Sequence, residues 1–134
     1  MTPAETHAQT YEQGLETRRK VLGSAHVDRS LGAVSDFSRP IQELVTEYCW
    51  GVVWRRDALE HKTRSLLNLV MLTALNRPHE LAAHVRGAIN NGASVSEIQE
   101  ALLQTAIYVG VPAALESFRV AESVLRELDV DVDV

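Results

Sequence analysis

Signals that start and end helices recur along this chain, and no segment alternates apolar and polar residues as a β-strand does. Thr2 can cap a first helix with Pro3 at its first position, and Gly23 can end that helix after Leu22. The run "SVSE" at 94–97 has the spacing of a capping box, which marks another helix start. These signals predict an all-α fold, a compact bundle of about six helices.

The second and third helices show the most pronounced apolar patterns. After a glycine- and serine-rich stretch at 23–38, predicted to be a loop or a short helical connection, Ser38 caps a helix near Pro40. Apolar residues recur in this second helix at helical spacing and predict its core face, made of Ile41, Leu44, Val45, Tyr48 and Val52. The run "LLNLVMLTAL" at 66–75 is apolar on nearly every side, which predicts a helix buried all round.

The length of 134 residues and a hydrophobic content of 46% fit one domain over 1–134. Within it we expect an N-terminal helix and connection at 1–37, core helices at 38–128, and a frayed acidic tail at 129–134. The helices at 64–75 and 98–109 carry more apolar surface than one small bundle can cover. This excess predicts a homo-oligomer, with an unusually apolar monomer as the alternative.

Charge and cysteine content restrict the possible functions. A net charge of −5 without a basic cluster argues against binding to nucleic acid. No apolar run of about 18 residues is present to span a membrane, and the polar N-terminus lacks the apolar core of a signal peptide. The single cysteine, Cys49, excludes an intrachain disulfide and suits a reducing compartment, so we expect a cytoplasmic protein.

The segment "HELAAH" at 79–84 resembles a zinc motif but has a different spacing. His79 and His84 are five residues apart, which places them roughly 140° from each other around a helix. They cannot share a metal ion without other ligands, so we expect no metal. Glu80 and His84, four residues apart, do share a face, and this pair is the stronger candidate for acid–base chemistry.

Other polar residues at helical spacing extend this candidate site. A cavity bounded by tryptophan, arginine and histidine would suit a small, flat, acidic ligand. Each residue also has an ordinary structural explanation: a histidine satisfied in the core, tryptophans packed in the core, or an ion pair of Arg64 with Glu80 or Glu47. The residues that form these stripes are Glu80, His84 and Asn91; Glu47, Trp50 and Trp54; and Arg64 and Asn68.

Four segments, "YEQGLETRRKVLGSAHVDRSL", "YCWGVVWRRDALEHKTRSLLNL", "HELAAHVRGAINNGASVSEIQEAL" and "QTAIYVGVPAALESF", resemble the carboxymuconolactone decarboxylase family. The resemblance runs from about Tyr11 to Leu128 and implies an all-helical ring, commonly a hexamer. The same superfamily contains alkyl hydroperoxidases with a Cys-x-x-Cys pair before a histidine. If His84 corresponds to that histidine, Arg77 and Glu80 stand at the cysteine positions, which argues against thiol peroxidase chemistry.

The resemblance implies decarboxylation of 4-carboxymuconolactone to the 3-oxoadipate enol-lactone, a step of protocatechuate degradation. Electrons left by CO2 pass through the ring alkene to the lactone carbonyl, so neither an organic cofactor nor a metal is required. The residues implied are His84 as oxyanion or proton donor, Glu80 to orient it, Arg64 and then Arg56 for the carboxylate, and Trp50, Trp54 and Tyr108 as walls. The alternatives are a decarboxylase or isomerase of another lactone, a non-catalytic binding protein, and a peroxidase-like relative.

Overall fold

The computed structural model describes residues 1–133, which contain α-helices and no β-strand. The predicted all-α class is confirmed, but the α-helices number seven, because the stretch after Gly23 forms a helix of its own. They are α1 (Pro3–Leu22), α2 (Ser24–Gly32), α3 (Arg39–Leu44), α4 (His61–Ala74), α5 (Pro78–Asn90), α6 (Val95–Tyr108) and α7 (Val111–Glu127), with a π-helical segment, Val45–Val53, continuing α3.

The chain divides into two compact units, Met1–Leu59 and Glu60–Val134. Val134 itself lies outside the described residues. The boundary between the units therefore follows the π-helical segment. The reason is that α1 packs along the π-helical segment, which keeps α3 and this segment with the N-terminal helices. None of the helices in residues 1–133 is long and apolar enough to cross a membrane.

The predicted helix starts at Thr2 and Ser94 are confirmed. Each side chain accepts a hydrogen bond from the amide three residues on, and the glutamate at that position bonds back to the cap amide. At Ser38 the chain also enters a helix, but the hydroxyl bonds to Ser35 instead of capping it. The two capping boxes span only three residues each, which is why sequence spacing alone predicts them.

In the N-terminal unit, α1 and the π-helical segment approach each other at two glycines. A Cβ on Gly14 would lie 2.1 Å from the carbonyl oxygen of Thr46, and one on Gly51 would lie 2.5 Å from the carbonyl oxygen of Thr10. Because no side chain separates the two backbones there, the helices depend on glycine at both positions.

The predicted core face of the second helix is wrong. Ile41, Leu44, Tyr48 and Val52 are all exposed, whereas Thr46, Trp50, Gly51 and Trp54 are buried. The physical reason is the close contact of Gly51 with α1, which decides the side of the π-helical segment that faces α1 and leaves the regularly spaced apolar side chains outside.

The C-terminal unit has a core to which α4, α5, α6 and α7 all contribute. Its fully buried members include Leu69, Leu81, Ile98 and Leu102. The prediction that 66–75 is buried all round is wrong for the single chain, because only one side of α4 meets the other helices; the exposed large apolar residues of this segment are Leu67, Met71 and Leu75.

The acidic tail does not simply fray. Val130 and Val132 pack against the core of the C-terminal unit, while Asp129, Asp131 and Asp133 remain exposed. Alternation of valine and aspartate allows one side of an extended segment to bury apolar surface. Val134, the last residue of the predicted frayed tail, lies outside the described residues.

We predict that Gly14→Ala lowers the free energy of unfolding by at least about 2 kcal/mol, since the new methyl group would overlap the backbone of the π-helical segment. Gly32→Ala is the matched control, because a Cβ there meets nothing within 4 Å. We expect the control to change stability by less than about 1 kcal/mol. Urea unfolding measures both, and equal losses in the two variants would contradict the close-packing explanation.

Candidate functional site

Polar side chains join α4 to α5 in the C-terminal unit. The side-chain amide of Asn68 lies 3.4 Å from Nδ1 of His84, and Nδ2 of Asn91 donates to Oγ of Ser65 at 2.9 Å. The same Nδ2 lies 3.5 Å from the carbonyl oxygen of His61. Later residues of α4 therefore meet earlier residues of α5, as in an antiparallel pair, and two predicted site residues, His84 and Asn91, both face α4.

His84 is the central group of this α4–α5 polar set, which comprises His61, Arg64, Ser65, Asn68, His84 and Asn91. Its ring is partly buried, and buried leucine and valine stand nearby on the same helix. If the Asn68 amide donates to Nδ1, a neutral imidazole carries its proton on Nε2.

The sequence assigned the orientation of His84 to Glu80. In the structure Glu80 lies exposed in the first turn of α5, and its side chain makes no hydrogen bond or ion pair with any residue in 1–133. Asn68 supplies the contact that spacing within one helix could not reveal. The signal available in the sequence was a polar residue inside the apolar run 66–75.

Arg64 begins a stripe along α4 that changes from polar to apolar. Arg64, Asn68, Met71 and Leu75 follow each other at spacings of four, three and four, which puts them on one side of the helix. The first two are partly buried and the last two are exposed. Arg64, the candidate cation, and Asn68, which contacts His84, thus lie on the same side of the helix as the exposed apolar side chains of Met71 and Leu75.

Tyr108, predicted to be a wall of the site, ends α6 and is exposed. It borders a concave surface between α4 and α6 with a volume of about 460 Å³, here called the α4–α6 groove. The groove is mostly apolar, and its residues include Leu66, Leu67, Val70, Ala101, Tyr108 and Val109.

The remaining predicted residues belong to the N-terminal unit. Trp50 and Trp54 are each 3% exposed and stack with ring centroids 4.8 Å apart. The carboxylate of Glu47 is in contact with Nδ1 of His7 on α1. Arg56 is exposed just after the π-helical segment. This geometry favours a packing role for the two tryptophans and gives Glu47 a partner within its own unit.

No group of three or more histidine, cysteine, aspartate or glutamate side chains in residues 1–133 is arranged to hold a metal ion. Cys49 is a free, partly buried thiol on the π-helical segment. Burial raises its pKa, and the positive charge of Arg18 opposes this shift to a smaller extent. The thiol is therefore protonated at neutral pH and poorly suited to nucleophilic chemistry.

Comparison with known proteins gives a consistent set of relatives. Residues 39–123 match the carboxymuconolactone decarboxylase family. The chain is 41% identical over 127 residues to a nitrosuccinic acid decarboxylase of Metarhizium robertsii, which covers 95% of this chain and 89% of that protein. It is also 41% identical over 122 residues to a 4-carboxymuconolactone decarboxylase of Acinetobacter baylyi, which covers 91% of each.

A further match covers a shorter stretch and carries the same name as the Acinetobacter baylyi protein. A 4-carboxymuconolactone decarboxylase sequence of Pseudomonas putida is 46% identical over 43 residues, which are 32% of this chain and 90% of that sequence.

We predict that Cys49 reacts slowly with Ellman's reagent at pH 7 and faster as the pH rises toward its elevated pKa. Cys49→Ala should leave the folded protein and its turnover unchanged, because the thiol has no resolving partner elsewhere in the sequence. Rapid labelling at pH 7, or a hundredfold loss of turnover in a folded Cys49→Ala protein, would contradict this prediction.

Proposed function

The chain belongs to the carboxymuconolactone decarboxylase family and is a carboxy-lyase, and we propose that it converts 4-carboxymuconolactone to the 3-oxoadipate enol-lactone. Two similar proteins that carry this name support the substrate, one of them aligned over 91% of both chains. The reaction places the enzyme in the degradation of protocatechuate, and the single cysteine is compatible with a cytoplasmic location.

The reaction makes four demands on the protein. It must hold the acetate carboxylate, keep the departing carboxylate away from water, stabilise the dienolate oxygen and protonate carbon. When the bond to CO2 breaks, its electron pair moves through the ring alkene to the lactone carbonyl oxygen. A proton then returns to carbon and restores the carbonyl. The substrate accepts its own electrons, so the proposal includes no organic cofactor and no metal.

The observation that carries the proposal is the α4–α5 polar set. Asn68 contacts Nδ1 of His84 from α4, and the imidazole is assigned to stabilise the dienolate oxygen or to deliver the proton. Arg64, one turn before Asn68, offers a planar guanidinium that suits a carboxylate. Asn91, tied to Ser65, borders the same helix pair and remains a candidate for substrate contact.

The roles of the other predicted residues follow from their surroundings. Asn68 replaces Glu80 as the group proposed to orient His84, and Glu80 stays a candidate for a second contact at the exposed helix start. Arg56 and Tyr108, both exposed, remain candidates for binding the carboxylate and for forming a wall. Trp50, Trp54 and Glu47 are assigned to packing and to the contact with His7.

A second candidate substrate is nitrosuccinic acid, because a decarboxylase of that compound is also 41% identical to this chain. Loss of CO2 beside a nitro group leaves a nitronate, whose negative charge lies on oxygen as in the dienolate. The same imidazole and the same arginine would serve this reaction. Assays of CO2 release from both compounds decide between them.

We also propose a ring of about six chains, in agreement with the family resemblance. The support is an exposed apolar surface on the C-terminal unit that a single chain leaves uncovered. Its members are Leu67 and Met71 on α4, Leu75 directly after α4, Leu103, Ile107 and Tyr108 on α6, and Val111 and Leu115 on α7.

For the site we predict that His84→Gln lowers the rate of CO2 release by about 10²- to 10⁴-fold while the fold and the oligomer persist. His79→Gln, five residues earlier on the exposed first turn, should change the rate little. The EDTA-treated wild-type enzyme should retain its activity. A normal rate in His84→Gln, or inhibition by EDTA, would refute the assignment.

Two further variants test whether Asn68 or Glu80 orients the ring of His84. Asn68→Ala should reduce kcat and shift the pH profile, because the imidazole loses the contact that selects its tautomer. Glu80→Gln should have the smaller effect, since Glu80 makes no bond to His84. A larger loss in Glu80→Gln than in Asn68→Ala would return the orienting role to Glu80.

For the assembly we predict a mass of about six chains by size-exclusion chromatography with light scattering. Ile107→Glu should lower that mass, because a buried, unpaired charge at a subunit contact is costly. Phe37→Glu is the matched control, since Phe37 is exposed in the N-terminal unit and lies outside the proposed contact. A stable wild-type monomer at micromolar concentration would contradict the ring.

A further inference from the structure

The first turn of α4 carries Arg64, the residue proposed to hold the substrate carboxylate. Arg64 is the fourth residue of the helix, and the side chain of Glu60, at the N-cap, makes no capping hydrogen bond to residues 61–74. The first amides of a helix have no acceptor within it, and a helix start without a side-chain cap is less stable and frays more readily. The direction in which Arg64 leaves the helix therefore depends on contacts from neighbouring elements.

Asn91 supplies such a contact from the end of α5. Its Nδ2 donates to Oγ of Ser65 at 2.9 Å and lies 3.5 Å from the carbonyl oxygen of His61. One side-chain amide thus meets α4 on both sides of Arg64 in the sequence, at the first and fifth residues of the helix. Ser65 is fully buried, with 0% of its surface exposed. Because water does not compete for a buried hydrogen bond, this contact holds the first turn in one position.

The support that Asn91 provides is itself fixed. Asn91 directly follows α5, and its backbone N–H donates to the carbonyl oxygen of Gly87. The next residue, Gly92, has a φ of 90°, in the left-handed region that ends a helix and that glycine adopts without strain. The chain therefore leaves α5 immediately after Asn91, whose side-chain amide reaches α4 from an ordered helix end.

A second contact on the same turn is weaker. Nζ of Lys62 lies 3.2 Å from Oε2 of Glu97, but 35% of the lysine side chain and 40% of the glutamate side chain are exposed. The Glu97 carboxylate also accepts from the cap amide of Ser94 in the capping box of α6. An exposed ion pair contributes little to stability. Lys62 therefore serves as a matched control for the buried contact of Ser65.

We propose that Ser65 and Asn91 are positioning residues for Arg64, because their hydrogen bond holds the first turn of α4 in the orientation from which the guanidinium meets the substrate carboxylate. A guanidinium binds a carboxylate most strongly through two parallel hydrogen bonds, and a rotation of the helix turn that carries it breaks that geometry. Asn91 then acts through Ser65 and Arg64 and does not itself touch the substrate. The inference rests on the proposed function, since it takes Arg64 as the residue that binds the carboxylate.

The kinetic test uses the full-length protein and 4-carboxymuconolactone. Ser65→Ala should raise KM by about tenfold, as expected when a hydrogen-bonded contact to a charged group is weakened. Its kcat should stay within about threefold and keep its pH profile, because Asn68 still contacts His84. Asn91→Ala should have the same effect. The double variant should have no larger KM than either single variant, since all three lose one and the same contact.

Two controls separate positioning from stability. Thr73→Val removes another buried hydroxyl contact of α4, in which Oγ1 of Thr73 lies 2.8 Å from Oγ of Ser117 at the far end of the helix. This variant should lose stability and keep its KM, because the contact is far from Arg64 along the helix. Lys62→Gln removes the exposed ion pair and should leave KM within about twofold.

A measurement without substrate tests the position of Arg64 directly. In 15N-labelled protein, the heteronuclear NOE of the Arg64 Nε–H group should fall in Ser65→Ala and in Asn91→Ala, because the first turn of α4 gains motion on the picosecond to nanosecond timescale. It should stay unchanged in Thr73→Val. Asn91→Ala probes the same hydrogen bond from its partly exposed side, so the test stands even if Ser65→Ala does not fold.

The proposal is overturned by an unchanged KM or an unchanged Arg64 signal in the two alanine variants, or by an equal rise of KM in Thr73→Val. It is also overturned if the KM increases of the single variants multiply in the double variant, since Asn91 would then contact the substrate itself. Failure of the proposed function gives a different result, because Arg64→Met would then leave KM unchanged. If Arg64→Met raises KM and Ser65→Ala does not, only the positioning role is wrong.

Discussion

A polar contact between Asn68 and His84 joins α4 to α5, two helices whose interface is otherwise largely apolar. Apolar side chains are not directional in their contacts, whereas a partly buried imidazole or amide needs a hydrogen-bond partner at a defined position. A second polar contact, between Asn91 and Ser65, lies farther along the same pair. Because both contacts join the helices in one register, the interaction that aligns α4 with α5 also places the candidate catalytic ring on a rigid support.

What could be predicted from the sequence was mainly local. The capping residues Thr2 and Ser94 act over three residues, so their spacing was sufficient. The buried face of the second helix was predicted wrongly, because it depends on where α1 meets the π-helical segment. Gly14 and Gly51 make that contact possible, and glycine contributes nothing to an apolar periodicity. The family and the enzyme class, taken from four segments in order, are confirmed.

Prediction of the candidate site from the sequence was also limited to what spacing within one helix shows. Helical spacing from Pro78 onward placed His84 and Asn91 on one stripe, and both contact α4. It also suggested Glu80 as the partner of His84, since the two are four residues apart. The actual contact comes from Asn68, sixteen residues away in sequence on another helix. Such a pairing depends on the register of two elements, which no pattern within a single helix contains.

The apolar stripe of α4 links the proposed assembly to the proposed chemistry. Arg64 and Asn68 lead into Met71 and Leu75, which are exposed in the single chain. In the proposed ring, a neighbouring chain that covers the apolar end of this stripe also excludes water from its polar end. Charge interactions strengthen as the local dielectric constant falls, so Arg64 would hold a carboxylate more firmly in the closed ring than in an isolated chain. The departing carboxylate would lose hydration at the same step, which favours its conversion to neutral CO2. Assembly would therefore contribute to catalysis without any residue of the site changing.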